Sequence, residues 1–291
     1  MSKKALALDI GGTKIYSAII DEHGIIIGDV QKYSTPKNLG GILRAIKEII
    51  SKDEMWVDSI AIATAGAVNN QNTNVISSTG NLPDGYNAID FKMLSKRPVF
   101  VENDANCAAW AEYKVGSSRG FENSITLTFG TGVGGGVIVD GKLLKGKSGG
   151  AGEMHFKMSL DKKRKCTCGD YDCFEIYASG RGLELTAQEI LGKNLTTYQI
   201  IEGYNGGFEG FDEVVTTWRK NIAIGILGLS NIFDPDCVVL SGSMAQFLET
   251  EPIQNYVNSK TCTSPIKVFQ ATAGNYSGMI GAAILALEKL K

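Results

Sequence analysis

The sequence has little proline, no excess of charge of either sign and no long apolar run. Of its 291 residues only 6 are proline, and neither sign of charge dominates, since 29 Lys and Arg stand against 31 Asp and Glu. A balanced charge is not typical of proteins that bind nucleic acid or anionic membranes. No apolar run approaches the ~18 residues of a membrane span, and the apolar run before Asp9 is too short for a signal peptide. We expect a cytoplasmic protein with no nucleic-acid or membrane partner.

Cysteine is sparse and glycine is abundant. Three of the six cysteines lie within eight positions, which does not fit a secreted disulfide framework and favours a metal site. Glycine occurs 35 times in 291 residues, roughly 12% against a usual ~7%. Because no collagen period or Gly/Ser tract accounts for this excess, the glycines belong to turns and close backbone contacts. The 43% apolar and 21% charged residues indicate a globular chain.

A unit of strand, glycine turn and hairpin occurs twice. Its first copy is predicted over residues 5–9, 15–20 and 25–30, and its second over residues 124–129, 133–139 and 142–144. Two copies more than a hundred residues apart indicate two related α/β lobes. We place the first lobe at residues 1–115, completed by the C-terminal helix at 276–291, and the second at 116–275.

The remaining periodicity predicts further strands and helices. Strands are predicted at residues 60–64, 99–101 and 237–240, and helices at residues 39–50, 104–113, 175–191, 212–233 and 278–290. Asn103 or Asp104 would cap the helix that begins at 104.

Both glycine turns follow a strand, where backbone N–H groups can approach a phosphate. The first reads Asp-Ile-Gly-Gly-Thr-Lys (residues 9–14), and the second reads Gly-Thr-Gly-Val-Gly-Gly-Gly (residues 130–136). Neither is a P-loop or a dinucleotide fingerprint, because a hairpin follows instead of a helix. Each alone could be an ordinary hairpin entry. Two copies at matching places favour a pair of phosphate loops around a nucleotide.

Five motifs together carry a family resemblance. They are, in order, the glycine turn at 9–14, Glu-Asn-Asp-Ala-Asn at 102–106, the glycine turn at 130–136, Gly-Ala-Gly-Glu at 150–153 and Cys-x-Cys-Gly-x3-Cys-x-Glu at 166–175. In this order and spacing the chain resembles, over nearly its whole length, the ROK family of repressors, open reading frames and kinases. The resemblance implies the two-lobed actin-like (ribonuclease H-like) ATPase fold, with a nucleotide and sugar cleft between the lobes.

The resemblance also implies an activity. The chain would be an ATP- and Mg²⁺-dependent kinase that transfers the γ-phosphoryl group of ATP to the 6-hydroxyl of a hexose. Glucose is favoured as the substrate because the segment Ala-Gly-Glu that ends at Glu153 resembles the sugar pocket of the family's glucokinases. N-acetylmannosamine or another N-acylated hexosamine is the alternative. A homodimer is implied as well.

Roles for individual residues follow from the matched motifs. Asp104 would be the base that takes the proton of the sugar hydroxyl, with a helix cap as the structural alternative. The residues implied at the sugar are Asn81, Asn103, Glu153, His155 and Glu175. The residues implied at the nucleotide are Asp9 (through Mg²⁺), Gly11, Gly12, Thr13, Lys14, Gly130, Thr131, Gly132 and, near the adenosine, Gly242.

The cysteine motif indicates structural zinc. Cys166, Cys168 and Cys173 would supply three thiolates, and His155, one of only two histidines, would complete a Cys3His set. Three free thiols are the alternative. Two departures from the family pattern affect this region. The usual Gly between Glu and His is missing from Glu153-Met-His155, so either the backbone adapts or one of the two residues leaves its role. Asp172 stands where the family usually has Gly.

Two functions of another class fit the family or the superfamily. A sugar-sensing regulator would carry a DNA-binding segment before the first glycine turn, and Asp9 lies only eight residues after the initiator. A non-catalytic nucleotide-binding protein would not need the segment at 102–106 or the cysteine motif. The basic run at 162–165 is interpreted as a solvated loop.

Overall fold

The chain alternates short strands with helices, and its computed structural model describes residues 2–77 and 82–290. The strands are β1 (Lys4–Ile10), β2 (Lys14–Asp21), β3 (Ile26–Ser34), β4 (Ser59–Thr64), β5 (Ala67–Val68), β6 (Val75–Ser77), β7 (Val99–Asn103), β8 (Ser124–Phe129), β9 (Val133–Val139), β10 (Lys142–Leu143), β11 (Cys237–Ser241) and β12 (Lys267–Gln270). The α-helices are α1 (Leu39–Asp53), α2 (Asp104–Val115), α3 (Phe174–Ala178), α4 (Gly180–Leu191), α5 (Thr197–Asn205), α6 (Phe211–Phe233), α7 (Thr250–Asn258) and α8 (Ser277–Glu288).

The first sheet joins an antiparallel hairpin unit to two parallel strands. Its order is β3-β2-β1-β4-β7. Strands β1, β2 and β3 pair antiparallel, whereas β4 pairs parallel with both β1 and β7. The parallel register sets Ile10 beside Thr64 and Thr64 beside Asn103. The carboxyl ends of these three strands therefore share one edge, where open α/β sheets bind their ligands.

The second sheet repeats the first. Its order is β10-β9-β8-β11-β12, with β8, β9 and β10 antiparallel and with β11 parallel to β8 and β12. The predicted repeat of hairpin units is thus confirmed as two sheets with matching strand order. The small pair β5-β6 lies outside both sheets.

Helices α2 and α8 fill the space beside both sheets. Every residue of α8 from Ser277 to Leu287 is buried, as is typical of a helix that is apolar all round. It packs with α2 against Ala5, Ala7, Ala61 and Ala63 of the first sheet, and Ile138 of the second sheet joins the same apolar cluster. The first sheet is therefore covered in part by the last helix of the chain.

Some elements differ from the sequence prediction. The helix expected over residues 175–191 is two helices, because Ser179 is extended and its hydroxyl caps α4 by accepting from the Gly182 N–H at 3.1 Å. The sequence analysis did not predict α5, which begins with a capping box of Thr196 and Gln199. It also missed α7 and β12. Among the helices of the described residues, none has the length and apolar character needed to cross a bilayer.

Candidate active site

Two carboxylates at the edge of the first sheet face a shared cavity. Asp9 lies near the end of β1, and Asp104 is the first residue of α2, directly after β7. Both line a cavity of ≈ 480 Å³ whose opposite wall includes residues 240–243, at the end of β11 and just beyond it. The cavity therefore lies between the carboxyl ends of the two sheets.

Burial disfavours the ionised form of both carboxyl groups. It raises the pKa of Asp9 to about 7, and the charge of Asp104 adds to the shift. It also raises the pKa of Asp104 to about 6, against a hydrogen bond from the Ala105 N–H that lowers it, and the charge of Glu153 raises it further. A cation close to both groups would favour their charged forms.

The surroundings of Asp9 leave room for a hydrated cation. The neighbour of its carboxylate on α8 is Gly278, where a Cβ would lie 3.0 Å from Oδ2 of Asp9. A side chain at Gly278 would crowd the carboxylate oxygen that faces the cavity. Since Mg²⁺ prefers oxygen ligands and keeps several of its waters, Asp9 fits the role that the resemblance implies for it.

Asp104 lies where two cavities meet. It lines the ≈ 480 Å³ cavity and also a second cavity of ≈ 370 Å³ that contains Asn103, Glu153, His155 and Glu175. Its Oδ1 accepts a hydrogen bond of 2.8 Å from the Ala105 N–H. One oxygen is thereby fixed, and the carboxylate is oriented at the boundary between the two cavities.

Asn103, not Asp104, caps helix α2. The Oδ1 atom of Asn103 accepts from the Asn106 N–H at 3.0 Å, and its Nδ2 donates to the Gly66 carbonyl at 3.0 Å. The structural alternative for Asp104, a helix cap, is therefore excluded. Asn103 both caps α2 and lines the second cavity.

Glu175 connects the second glycine turn to the cysteine motif. Its Oε2 accepts from the Val133 N–H at 3.2 Å, and its Oε1 accepts from the Thr167 hydroxyl at 2.9 Å. A Cβ at Gly132 would overlap Oε2 of Glu175, so a side chain there would displace the Glu175 carboxylate. Glu153 lies across the same cavity and is exposed.

His155 does not join the cysteines, contrary to the Cys3His expectation. The thiol sulfurs of Cys166, Cys168 and Cys173 lie within 4.8 Å of one another, and His155 is not part of that group. It lines the ≈ 370 Å³ cavity with Glu153 instead. The buried Met154 between them packs so tightly against Gly135 that a Cβ at that glycine would overlap it. With Met154 turned inward, its two neighbours both face the cleft.

Phe156, the next residue, is also turned away from the thiols. Its ring stacks on Phe174 with centroids 4.9 Å apart, and its carbonyl accepts from the Phe174 N–H at 2.8 Å. Phe156 thus packs against the core, while His155 lines the cleft. Asn81, the remaining residue expected at the sugar, lies outside the described residues.

The first glycine turn lies beside Asp9 but not in the cavities. The Gly11 N–H donates to the Lys14 carbonyl at 3.0 Å, which closes the hairpin. The Gly12 carbonyl accepts from Lys37 Nζ at 3.2 Å. Gly11, Gly12, Thr13 and Lys14 line neither of the two cavities that contain Asp104.

The second glycine turn and Gly242 do line the cleft. Gly130, Thr131 and Gly132 border the ≈ 370 Å³ cavity, and Gly242 borders both cavities. Gly242 has a φ of +87°, and a Cβ there would overlap the Phe129 backbone at the end of β8. Only glycine therefore lets the chain after β11 pass this close to β8.

Sequence reasoning missed two charged residues of this region. Arg181, in the first turn of α4, lines the ≈ 370 Å³ cavity and a further one of ≈ 360 Å³ that also contains Glu184 and Tyr198. Arg164 is 5% exposed, contrary to the interpretation of the basic run as a solvated loop. It forms an ion pair of 2.6 Å with Glu189 and donates to the Ile176 carbonyl, so it holds the cysteine motif against α3 and α4.

Three thiolates fit a metal ion, but a closed site needs a fourth ligand. Cys168 and Cys173 have their sulfurs 3.5 Å apart, and the described residues add no His, Cys, Asp or Glu to the group. Asp172, in place of the family's glycine, has a φ of +57°. Its carboxylate accepts from the backbone N–H groups of Lys163 and Arg164 and from the Tyr177 hydroxyl, which offsets the strain.

Comparison with known proteins gives consistent matches over the full chain. A model described as the ROK family matches residues 5–289. A glucokinase from Streptomyces coelicolor is 32% identical over 312 aligned residues, which cover 97% of each chain. An N-acetylmannosamine kinase from Escherichia coli O7:K1 is 31% identical over 298 aligned residues, which cover 98% of this chain and 99% of the relative.

Solved structures match equally well. A ROK hexokinase from Thermus thermophilus has a TM-score of 0.84 at 28% identity and covers 99% of both chains. A ROK family glucokinase from Streptomyces griseus, solved with glucose and AMPPNP, has a TM-score of 0.81 at 29% identity and covers 98% of this chain and 99% of its own.

Proposed function

Since the chain belongs to the ROK family and is a sugar kinase with the two-lobed actin-like ATPase fold, we propose that it phosphorylates the 6-hydroxyl of a hexose. Glucose is the favoured substrate. The position of Asp104 carries the proposed phosphoryl transfer, because this one half-buried carboxylate borders both the cavity next to Asp9 and the cavity next to Asn103 and Glu153. A base between a phosphoryl donor and a hydroxyl acceptor needs such a position.

The reaction needs a proton acceptor at the sugar hydroxyl and groups that neutralise the negative charge of the phosphates. Asp104 accepts the proton of the 6-hydroxyl while that oxygen attacks the γ-phosphorus in line, and the bond to the β-phosphate oxygen breaks to release ADP. The turn at 130–132, which lines the cleft, orients the phosphates. The turn at 11–13 lies beside Asp9 but lines neither cavity, so its contact with the phosphates stays a prediction. Mg²⁺, held through Asp9, would neutralise charge on the phosphates when it is bound with ATP.

The second cavity is the proposed sugar site. Asn103, Glu153, His155 and Glu175 line it, and their carboxylate, amide and imidazole groups match a polyhydroxyl ligand. Asn81 is expected to join them. His155 is assigned here rather than to zinc, and a zinc ion at Cys166, Cys168 and Cys173 would take its fourth ligand from elsewhere.

N-acetylmannosamine is the second candidate substrate. It is supported by the N-acetylmannosamine kinase relative, whose identity to this chain is within one percentage point of that of the glucokinase. A single contact in a pocket changes selectivity by only a few kcal/mol. The choice between the two sugars must therefore be measured.

ADP release from purified protein with Mg-ATP tests the proposal. The sugars to compare are glucose, mannose, fructose, N-acetylglucosamine and N-acetylmannosamine. We expect strong stimulation by glucose, with a phosphate ester at carbon 6 seen by ³¹P NMR. Stimulation by N-acetylmannosamine alone would select the second candidate, and a product without a 6-phosphate would contradict the assigned position.

Three further expectations from the sequence stay proposals. The homodimer and the cytoplasmic location stay predictions, as does the division of the chain into lobes at residues 1–115 and 116–275. The packing of α8 against β1 and β4 of the first sheet supports its assignment to the first lobe.

A further inference from the structure

The carboxylate of Glu102 lies directly behind the proposed active site. Glu102 is in β7, one residue before Asn103, and it is 1% exposed. Its Oε1 accepts from the Asn103 N–H at 2.9 Å and from Asn106 Nδ2 at 3.1 Å. Its Oε2 accepts from Asn72 Nδ2 at 2.7 Å and from Lys145 Nζ at 2.6 Å. This carboxylate therefore joins three parts of the chain: its own segment at 102–106, Asn72 and Lys145.

Lys145 is the one cation among these four donors. It follows β10 of the second sheet, whereas Glu102 belongs to the first, so the ion pair links the two. A buried carboxylate without an opposite charge is strongly destabilised. Breaking this pair would therefore destabilise the fold more than breaking an exposed ion pair, which contributes little to the free energy of folding.

The segment 145–152 is attached to the first half of the chain at several points. Lys145 Nζ also donates to the Val68 carbonyl at 3.4 Å, and Asn70 Nδ2 donates to the carbonyls of Gly146 and Lys147 at 3.1 and 2.9 Å. A Cβ at Gly149 would overlap the Val68 carbonyl. The segment thus lies on β5 and the turn that follows it.

The same segment leads directly to the proposed sugar site. The carbonyl of Lys145 accepts from the N–H groups of Gly149 and Ala151 at 3.0 and 3.2 Å. Two residues after Ala151 comes Glu153, which lines a cavity with Asn103 and Asp104. The bonds of Lys145 thus hold the chain up to two residues before Glu153.

We propose that Lys145 is a positioning residue, whose ion pair with Glu102 holds segment 145–152 so that Glu153 faces Asn103 and Asp104 across the sugar site. This inference rests on the proposed function, which places the sugar at these residues. Glu102 fixes Asn103 through its own N–H and Asn106, and Lys145 fixes Glu153. The ion pair thereby fixes the distance between Asn103 and Glu153, which lie on opposite walls of the sugar site.

The variant Lys145→Met tests this role, because it keeps the length of the side chain and removes the charge. We expect its KM for the sugar to rise about tenfold, in line with the loss of a hydrogen bond to a charged group, while its KM for ATP changes less than twofold. Hydrogen exchange at the Gly149 and Ala151 amides should become faster in the free protein. Lys145→Arg restores a cation opposite Glu102 and should recover most of the sugar affinity.

Lys114→Met is the matched control. It breaks an ion pair of similar length, 2.7 Å to Glu288, away from the proposed sugar site. It should leave both KM values and the exchange of segment 145–152 unchanged.

Distinct results would overturn the inference. The inference fails if Lys145→Met has the hydrogen exchange and the sugar KM of the wild type. It also fails if the KM values for sugar and ATP rise equally, because a general loss of stability would produce that result. If no sugar stimulates the wild-type enzyme, the proposed function fails. The exchange measurement then decides the role of Lys145 in holding the segment by itself.

Discussion

At the scale of single residues, Asp104 combines burial with access to two cavities. One of its oxygens is held by the Ala105 N–H, and its pKa is raised to about 6, first by burial. A base works best when its pKa lies near the working pH, since it is then both ionised and able to accept a proton. The burial that destabilises the charged carboxylate thus also suits it to this chemistry.

Asp104→Asn should separate catalysis from folding. We expect kcat to fall by about 10²–10⁴, the usual contribution of a positioned base. The melting temperature at pH 8 should stay equal or rise, because Asn103 provides the cap of α2 and a buried negative charge is removed. Steady-state kinetics and thermal unfolding of both proteins test this. If the Asp104→Asn variant keeps the wild-type kcat, Asp104 is not the base.

Residues in short motifs were predictable from sequence, and residues with distant partners were not. Asp9, Asp104 and Gly242 follow strands or lie at their ends, so local patterns place them at the sheet edges. Lys145 pairs with Glu102 across 43 positions, and no local pattern encodes that. The sequence placed His155 both at the sugar and at the zinc, because spacing does not reveal which way a side chain points; with Met154 buried, His155 lines the cleft.

At the scale of elements, the contact between α2 and α8 is the closest helix packing near the site. A Cβ at Gly281 of α8 would overlap the Cys107 carbonyl of α2. The backbones of the two helices are therefore in direct contact at Gly281, which has no side chain. Helix α2 carries Asp104 at its first position. The packing of α8 fixes the helix that presents the base.

Two substitutions of helical glycines should have opposite effects. Gly281→Ala should lower the free energy of unfolding by about 2–3 kcal/mol through overpacking. Gly228→Ala in α6, where a Cβ would meet nothing within 4 Å, should raise it by about 0.5–1 kcal/mol. Urea unfolding of both variants measures the difference. Equal effects would show that the α2–α8 contact can relax.

Elements were predictable where periodicity is strong and less so where capping decides. The strands of both hairpin units and helices α1 and α6 follow periodic apolar patterns, whereas α8 shows as a continuous apolar run and α2 by the cap at its start. The division between α3 and α4 depends on the hydroxyl of Ser179, and α7 and β12 are too short to show a clear period. Local hydrogen bonds, rather than hydrophobicity, determine these features.

At the scale of the whole molecule, the cleft holds two half-buried carboxyl groups whose ionised forms repel each other. The folded-state pKa values of Asp9 and Asp104 are raised from the ordinary 3.8 to about 7 and about 6. Between pH 4 and 7 the folded protein therefore binds more protons at these groups than the unfolded chain does. Their contribution to stability is fully present below pH 4 and is lost as the pH rises through 6 and 7.

The double variant Asp9→Asn, Asp104→Asn isolates this contribution. Its free energy of unfolding, measured without nucleotide or metal, should exceed that of the wild type by a margin that widens from pH 4.5 to pH 7.5. Urea unfolding at four pH values provides the comparison. A margin independent of pH would mean that the two groups are not desolvated in the free protein.

The packing of α8 has a consequence for the order in which the protein folds during synthesis. Domains usually fold as they emerge from the ribosome, the N-terminal one first. Here the first sheet is covered by α8, which is made last. The part of the first sheet that α8 covers must stay exposed until residue 288 has left the exit tunnel, so we expect this face to be the surface most in need of chaperones during translation.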